Sequence, residues 1–259
     1  IVEGYMGSLK DFVDIKKLVI TVVIMVIFFV AGYGYIKDKS REFDGPTQEE
    51  VLKTWPVLNV IRFIEPERYD EFYSSIRDSY LIKDKAAKNS AIMKNVLSLR
   101  KWSDSHLPEI LNYSSDDAVN DFTKYRAKLF NGILTMDPTG MECFKSLYPS
   151  VLGEPDLDRI GKSLGDKMGQ KSYMEGFINS IKQPVKADRL PASQVEEALT
   201  NIYIKLIERH GDLVTSEDIK ELAKNPKLSC EIQRDFYELI SKEDSHLSAE
   251  ITRYLNGSK

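Results

Sequence analysis

Only two of the 259 residues are cysteine and only three are histidine. Two cysteines exclude a disulfide-dense scaffold and an all-cysteine zinc site, although they permit one bridge. The histidines, His106, His210 and His246, stand far apart, without H-x-x-x-H or paired Cys/His spacing. No metal or cofactor is therefore implied, and structural roles are expected for all three. Positive charge is not in excess either: 36 basic residues against 40 acidic ones leave a net charge of −4. A nucleic-acid surface must first neutralise phosphates, so nucleic acid is not an expected partner. Low-complexity and collagen-like stretches are missing, as is any solenoid-length repeat or sustained heptad seam. Nowhere does an alternation of apolar and polar residues mark a strand. What remains is a chain with 42% hydrophobic residues, ample for one sizeable core.

The apolar residues are unevenly spread. From Leu18 to Ile36 the chain reads LVITVVIMVIFFVAGYGYI, with no charge between Lys17 and Lys37. As a helix this run spans about 28 Å, the thickness of a bilayer's hydrocarbon core. Tyr33 and Tyr35 suit the membrane interface, where the ring lies among headgroups and the hydroxyl reaches water. A cleaved signal peptide shares some of these features, but the run is read here as an uncleaved, single-pass anchor. Lys10, Lys16 and Lys17 precede it and Lys37, Lys39 and Arg41 follow it, so counting positive charges does not orient the segment. The expected organisation is a short tail (1–17), a membrane helix (18–36), a polar tether (37–45) and a soluble domain (46–259). A subdomain break is expected near 183–192, where two prolines fall in a polar stretch.

That domain reads as all-α. Thr47 with Glu50 matches a capping box ahead of the apolar stretch Val51–Ile64, which Pro56 should kink or restart. Pro66 opens a helix carrying Tyr69, Phe72, Tyr73 and Ile76. A helix over Ala86–Trp102 carries Ile92, Val96 and Leu99. Ser115, followed by Asp116 and Asp117, starts another with Ala118, Phe122, Leu129 and Ile133 on its stripe. Ser193 with Glu196 matches a second capping box, Thr215 or Ser216 opens a short helix, and Ser229–Lys242 is amphipathic through Ile232, Phe236, Leu239 and Ile240.

Candidate chemistry is sparse. Gly161-Lys162-Ser163-Leu164-Gly165 fits G-x-S-x-G, in which a strand delivers serine onto a strained turn before a helix. The preceding EPDLDRI is charged and holds a proline, and the glycines at 161, 165 and 169 repeat as on one helical face. A P-loop needs glycine where Asp156 stands. Acidic pairs at helix starts are explained by capping and the helix dipole. Trp55, Tyr69, Phe72 and Tyr73 form either core or an aromatic partner surface. Cys143 and Cys230, 87 positions apart, are either bridged or two separate buried thiols. No catalytic residue is assigned, and an enzyme is not expected.

The residues Asp137-Pro138, Cys143-Phe144, Leu147-Tyr148-Pro149, Cys230, Phe236-Tyr237, Ile240 and Arg253-Tyr254-Leu255 resemble a group of uncharacterised bacterial proteins. Those proteins have an N-terminal anchor and a helical extracytoplasmic region with two cysteines. The resemblance covers the last half of the chain and implies no activity. It implies a Cys143–Cys230 bridge and an oxidising, periplasmic location on the bacterial inner membrane. The function expected is an interaction or assembly module of an envelope complex, with the bilayer and other envelope proteins as partners. The alternatives are a sensor or receptor subunit and a serine hydrolase using Ser163.

Overall fold

Local chemistry sets where the first helices begin. The Thr47 hydroxyl accepts from the Glu50 backbone N–H, and the Glu50 carboxylate accepts from the Thr47 N–H at 2.8 Å, closing the capping box at the head of α1 (Gln48–Thr54). Pro56 has no amide hydrogen to continue that helix, so the chain restarts as α2 (Val57–Ile64). Pro66 sits in the first turn of α3 (Pro66–Leu81), and the Asp84 side chain caps α4 (Lys85–Tyr113). Ser115 accepts from the Ala118 N–H to cap α5 (Asp116–Met136). There follow α6 (Met141–Leu147), α7 (Pro149–Leu152), α8 (Leu157–Leu164), α9 (Gln170–Lys182) and α10 (Ala192–His210). A 3-10 turn (Gly211–Thr215) leads to α11 (Ile219–Lys224), α12 (Pro226–Ile240) and α13 (Ser245–Leu255).

The computed structural model describes residues 45–164, 170–184, 188–216 and 218–257. Among the described residues there is no strand, and no helix is long and apolar enough to cross a membrane. The uncharged run 18–36, with Tyr33 and Tyr35, lies outside them, as do the tail and residues 37–44 of the tether.

At the centre stands α5, buried along Val119, Phe122, Tyr125, Leu129, Phe130 and Ile133. Around it pack α12, α13, α9 and α8; α10 covers α12 and α13, and α2 and α4 lie on α9. One continuous hydrophobic cluster runs from Val51 to Leu255. It includes residues on both sides of the stretch 183–192.

Three helix boundaries differ from those the sequence suggests. Helix α4 does not stop at Trp102 but runs through Pro108, because Leu107, Ile110 and Leu111 are buried on its continuation. That burial outweighs the roughly 3 kcal/mol an interior proline costs. Ser193 does not cap α10, which starts behind Pro191 with no side-chain cap. The Glu196 carboxylate is engaged instead by the Tyr254 hydroxyl at 2.7 Å. Thr215 ends a 3-10 turn, and the short helix beyond it is capped by Asp218.

Candidate functional site

The two cysteines meet at a joint between α6 and α12. The turn Asp137–Gly140 aims α6: the Asp137 carboxylate accepts from the Thr139 hydroxyl at 2.6 Å and from the Glu142 N–H at 2.8 Å. Burial pushes this carboxyl up, but those hydrogen bonds prevail and hold it below the usual aspartate range. Gly140 has a φ of 74°, and a Cβ there would lie 2.6 Å from the backbone nitrogen of Lys227. The head of α6 therefore sits directly on the head of α12. In this arrangement Cys143 and Cys230 are fully buried at disulfide distance, their Cα atoms 6.0 Å apart. Glu142, also buried, braces the other side by accepting from the Asp156 N–H at 2.6 Å. The ring of Tyr148 leans on Phe144 at 4.8 Å, and burial pushes its hydroxyl up to about 12.

A second joint is ionic. Arg253 of α13 is fully buried; its Nε donates to Leu111 O at 2.9 Å and its Nη2 to Ser114 O at 2.6 Å, satisfying carbonyls at the end of α4. Its Nη1 donates to Asp116 at 2.6 Å and Glu250 at 2.8 Å. Glu250 in turn accepts from Arg189 Nε at 2.7 Å and from the Leu190 N–H, tying the loop after α9 to α13. A second buried cation, Arg126, is 1% exposed among the rings of Phe122, Phe130 and Tyr237, and donates to the Tyr237 hydroxyl at 2.9 Å. Burial pushes that hydroxyl above its ordinary range.

Each histidine faces a carboxylate on another element. His106 Nε2 lies 3.0 Å from Glu65, His210 Nε2 lies 2.8 Å from Asp235, and His246 Nδ1 lies 2.7 Å from Asp116. Glu65 also accepts from the Trp102 indole N–H at 3.0 Å; that bond, reinforced by His106, holds its carboxyl below the usual glutamate range. For Asp235, burial pushes upward, but hydrogen bonds from Arg234 and His210 prevail and lower it. Among the described residues, no group of three His, Cys, Asp or Glu side chains is placed to hold a metal.

The aromatic partner surface requires correction. Trp55, Tyr69 and Phe72 are 1%, 5% and 6% exposed and belong to the core; only Tyr73 is half-buried. The reason is that α3 folds back on α1 and α2. Trp55 Nε1 donates to the Tyr80 hydroxyl at 3.3 Å, and Gln48 donates to the Tyr69 hydroxyl at 2.7 Å. Large apolar side chains that do face outward include Phe63, Leu81, Leu97 and Ile204, each about half exposed at 47%, 46%, 51% and 48%. Val151 and Leu152 also protrude, on the turn that follows the cysteine-bearing α6.

Ser163 is exposed near the end of α8, so residues 157–164 form a helix where the hydrolase motif needs a strand and a sharp turn. Gly165 and Gly169 lie outside the described residues. Sequence reasoning missed Arg126, Arg189 and Arg253. The only local signal was a basic residue inside an otherwise apolar stripe, at Arg126 and Arg253. Compared with protein-family models, curated proteins and solved structures, the chain has no match in any of the three.

Proposed function

We propose that the chain is a single-pass membrane protein whose helical domain is an interaction or assembly module of a bacterial envelope complex, facing the periplasm. The observation that carries this reading is the uncharged run 18–36, long enough for a bilayer and leading through nine residues into the buried Pro46. Support for an oxidising compartment comes from Cys143 and Cys230 at disulfide distance. The outward-facing Phe63, Leu97 and Ile204 supply apolar contact points of the kind partner surfaces use.

Membrane insertion and topology are tested together. Val26→Arg places a charge mid-span at a cost of about 3 kcal/mol on insertion scales and should release protein from alkaline-washed membranes. A C-terminal alkaline phosphatase fusion should be active and a fluorescent-protein fusion dark; the reverse pattern overturns the periplasmic assignment. Photo-crosslinkers at residues 63, 97 and 204 should capture a discrete envelope protein, with the cross-link lost when the crosslinker is moved to exposed polar positions. Labelling by an active-site serine probe that disappears in Ser163→Ala would replace the reading with a hydrolase.

A further inference from the structure

The chain enters the helical domain beside an outward-facing leucine. Pro46 is buried, and the chain reaches it through Gly45, where a Cβ would stand 2.8 Å from Leu81 Cδ2. Leu81 is the last residue of α3 and remains 46% exposed. The Trp55 indole N–H donates to the neighbouring Tyr80 hydroxyl at 3.3 Å, which ties this end of α3 to the end of α1. Entry point and α3–α4 corner are therefore held together.

The corner is also basic. Lys83 and Lys85 are exposed and Lys88 is half-buried, with Arg77 exposed one turn before Leu81. Asp78 and Asp84 are the acidic residues of this stretch, and the Asp84 carboxylate is engaged in the cap of α4, accepting from the Ala87 N–H at 2.7 Å. On α1, Glu49 and Glu50 stand against Lys53, and Glu50 is occupied in the capping box. The tether is balanced, with Lys37, Lys39 and Arg41 against Asp38, Glu42 and Asp44, so the excess positive charge belongs to the corner. The far end of α3 has the opposite sign: Glu67, Asp70 and Glu71 stand there against Arg68.

We propose that the α3–α4 corner docks on an anionic phospholipid surface, with Leu81 entering the interface and Lys83, Lys85 and Lys88 among the headgroup phosphates. The inference rests on the reading of 18–36 as a membrane anchor and adds a lipid-binding surface to it. Nine Cα steps separate Ile36 from Gly45, so the anchor confines the entry point, and the corner with it, to within about 31 Å of the bilayer interface. The tether thereby fixes a high local concentration of headgroups, at which weak contacts suffice. A leucine among lysines meets the demands of that interface, placing apolar area below the headgroups and ammonium groups beside the phosphates. The charge along α3 orients the domain: the surface attracts the Leu81 end and repels the acidic end, about 24 Å away along the helix. The docking holds whichever side of the bilayer the domain faces.

The test uses the full chain reconstituted in phosphatidylcholine vesicles with or without about 30% phosphatidylglycerol. Leu81→Cys, at an exposed site, carries an environment-sensitive nitrobenzoxadiazole label. Ile204→Cys on α10, which packs on α12 and α13, carries the same label as a control. With phosphatidylglycerol present, emission at 81 should shift to the blue and be quenched by lipids spin-labelled near the headgroup, while 204 stays in water. Both effects should be lost in pure phosphatidylcholine and in about 0.5 M salt, where the Debye length is about 4 Å. Lys83→Gln with Lys85→Gln should lower the docked-to-free ratio about thirtyfold, from about fivefold per lysine. Lys124→Gln with Lys128→Gln, exposed on α5, should leave it unchanged. Flotation after alkaline washing reads the anchor separately. A chain that is retained but quenched no more at 81 than at 204 overturns the docking and leaves the anchor standing; a chain washed away overturns both. A label at 81 shielded from iodide yet untouched by the lipid quencher means that a second copy covers the corner. Equal loss in the α5 variant means that overall charge, not this corner, meets the lipid. Either result overturns the proposal.

Discussion

Gly140 is the residue on which the cysteine joint depends most directly. Its positive φ is costly for any side chain, and the space beyond its Cα is filled by the Lys227 and Pro226 backbone, which cannot swing away as a side chain can. Gly140→Ala should lose about 1 kcal/mol to backbone conformation and more to the displaced helix, for about 3 kcal/mol in all. Urea unfolding measures it; an unchanged midpoint would mean that α6 and α12 part easily. Arg253 is the ionic counterpart. Arg253→Met removes four hydrogen bonds and leaves Glu250, 1% exposed on its side chain, beside Arg189 alone. A loss of about 3–5 kcal/mol is expected from breaking such a buried network at one partner, read from the same unfolding curve. Neither role was legible in the sequence. Nothing in the sequence singles out Gly140, because the Lys227 backbone that demands glycine lies far along the chain. In the sequence Arg253 enters only as part of the resemblance, while its carbonyl partners come from Leu111 and Ser114, far away in the chain.

Helices whose starts depend on adjacent residues were readable; those governed by distant packing were not. Thr47 with Glu50, Pro56, Pro66 and Ser115 act within one turn, and the chain obeys each. Pro108 is overridden because the burial of Leu111 and Ile110 is a property of the assembled core. The α5–α9 crossing shows the same dependence at a single contact. A Cβ on Gly176 would stand 2.8 Å from the Cβ of Ala118, too close for two packed helices. Gly176→Ala gains about 1 kcal/mol of helix propensity but overpacks the crossing by about 1–3 kcal/mol, so a net loss is expected. Adding Ala118→Gly should recover it, and an additive double variant would argue against the crossing as described. The two cysteines were recognised as one bridge or two thiols, and their proximity joins α6 to α12. Cys143→Ser and Cys230→Ser should each cost about 4 kcal/mol if the bond forms, with the double variant scarcely worse than either. Alkylation of both thiols in denatured, unreduced protein would remove the bond from the account.

Across the whole molecule, carboxylates at element junctions hold the helices to one another. Glu65 fastens the α2–α3 corner to α4, Asp137 sets α6 beneath α5, and Asp235 joins α12 to the end of α10 through His210. All three are held below their ordinary values, by hydrogen bonds that favour the ionised form. The sign of the consequence follows from linkage. A carboxyl whose pKa is lower in the folded chain contributes stability that is present above its unfolded value, 3.8 for the aspartates and 4.5 for Glu65, and is lost as pH falls through the folded values. Stability should therefore hold steady down to about pH 5 and decline steeply below about pH 4, as protonation releases the three junctions together. Urea midpoints measured down this range provide the curve, and Asp137→Asn isolates one junction. An asparagine keeps an acceptor for Thr139 or Glu142 but has no charge to lose, so the variant should start less stable at neutral pH and show a shallower acid decline. A decline as steep as the parent's would place the acid-sensitive groups elsewhere in the molecule.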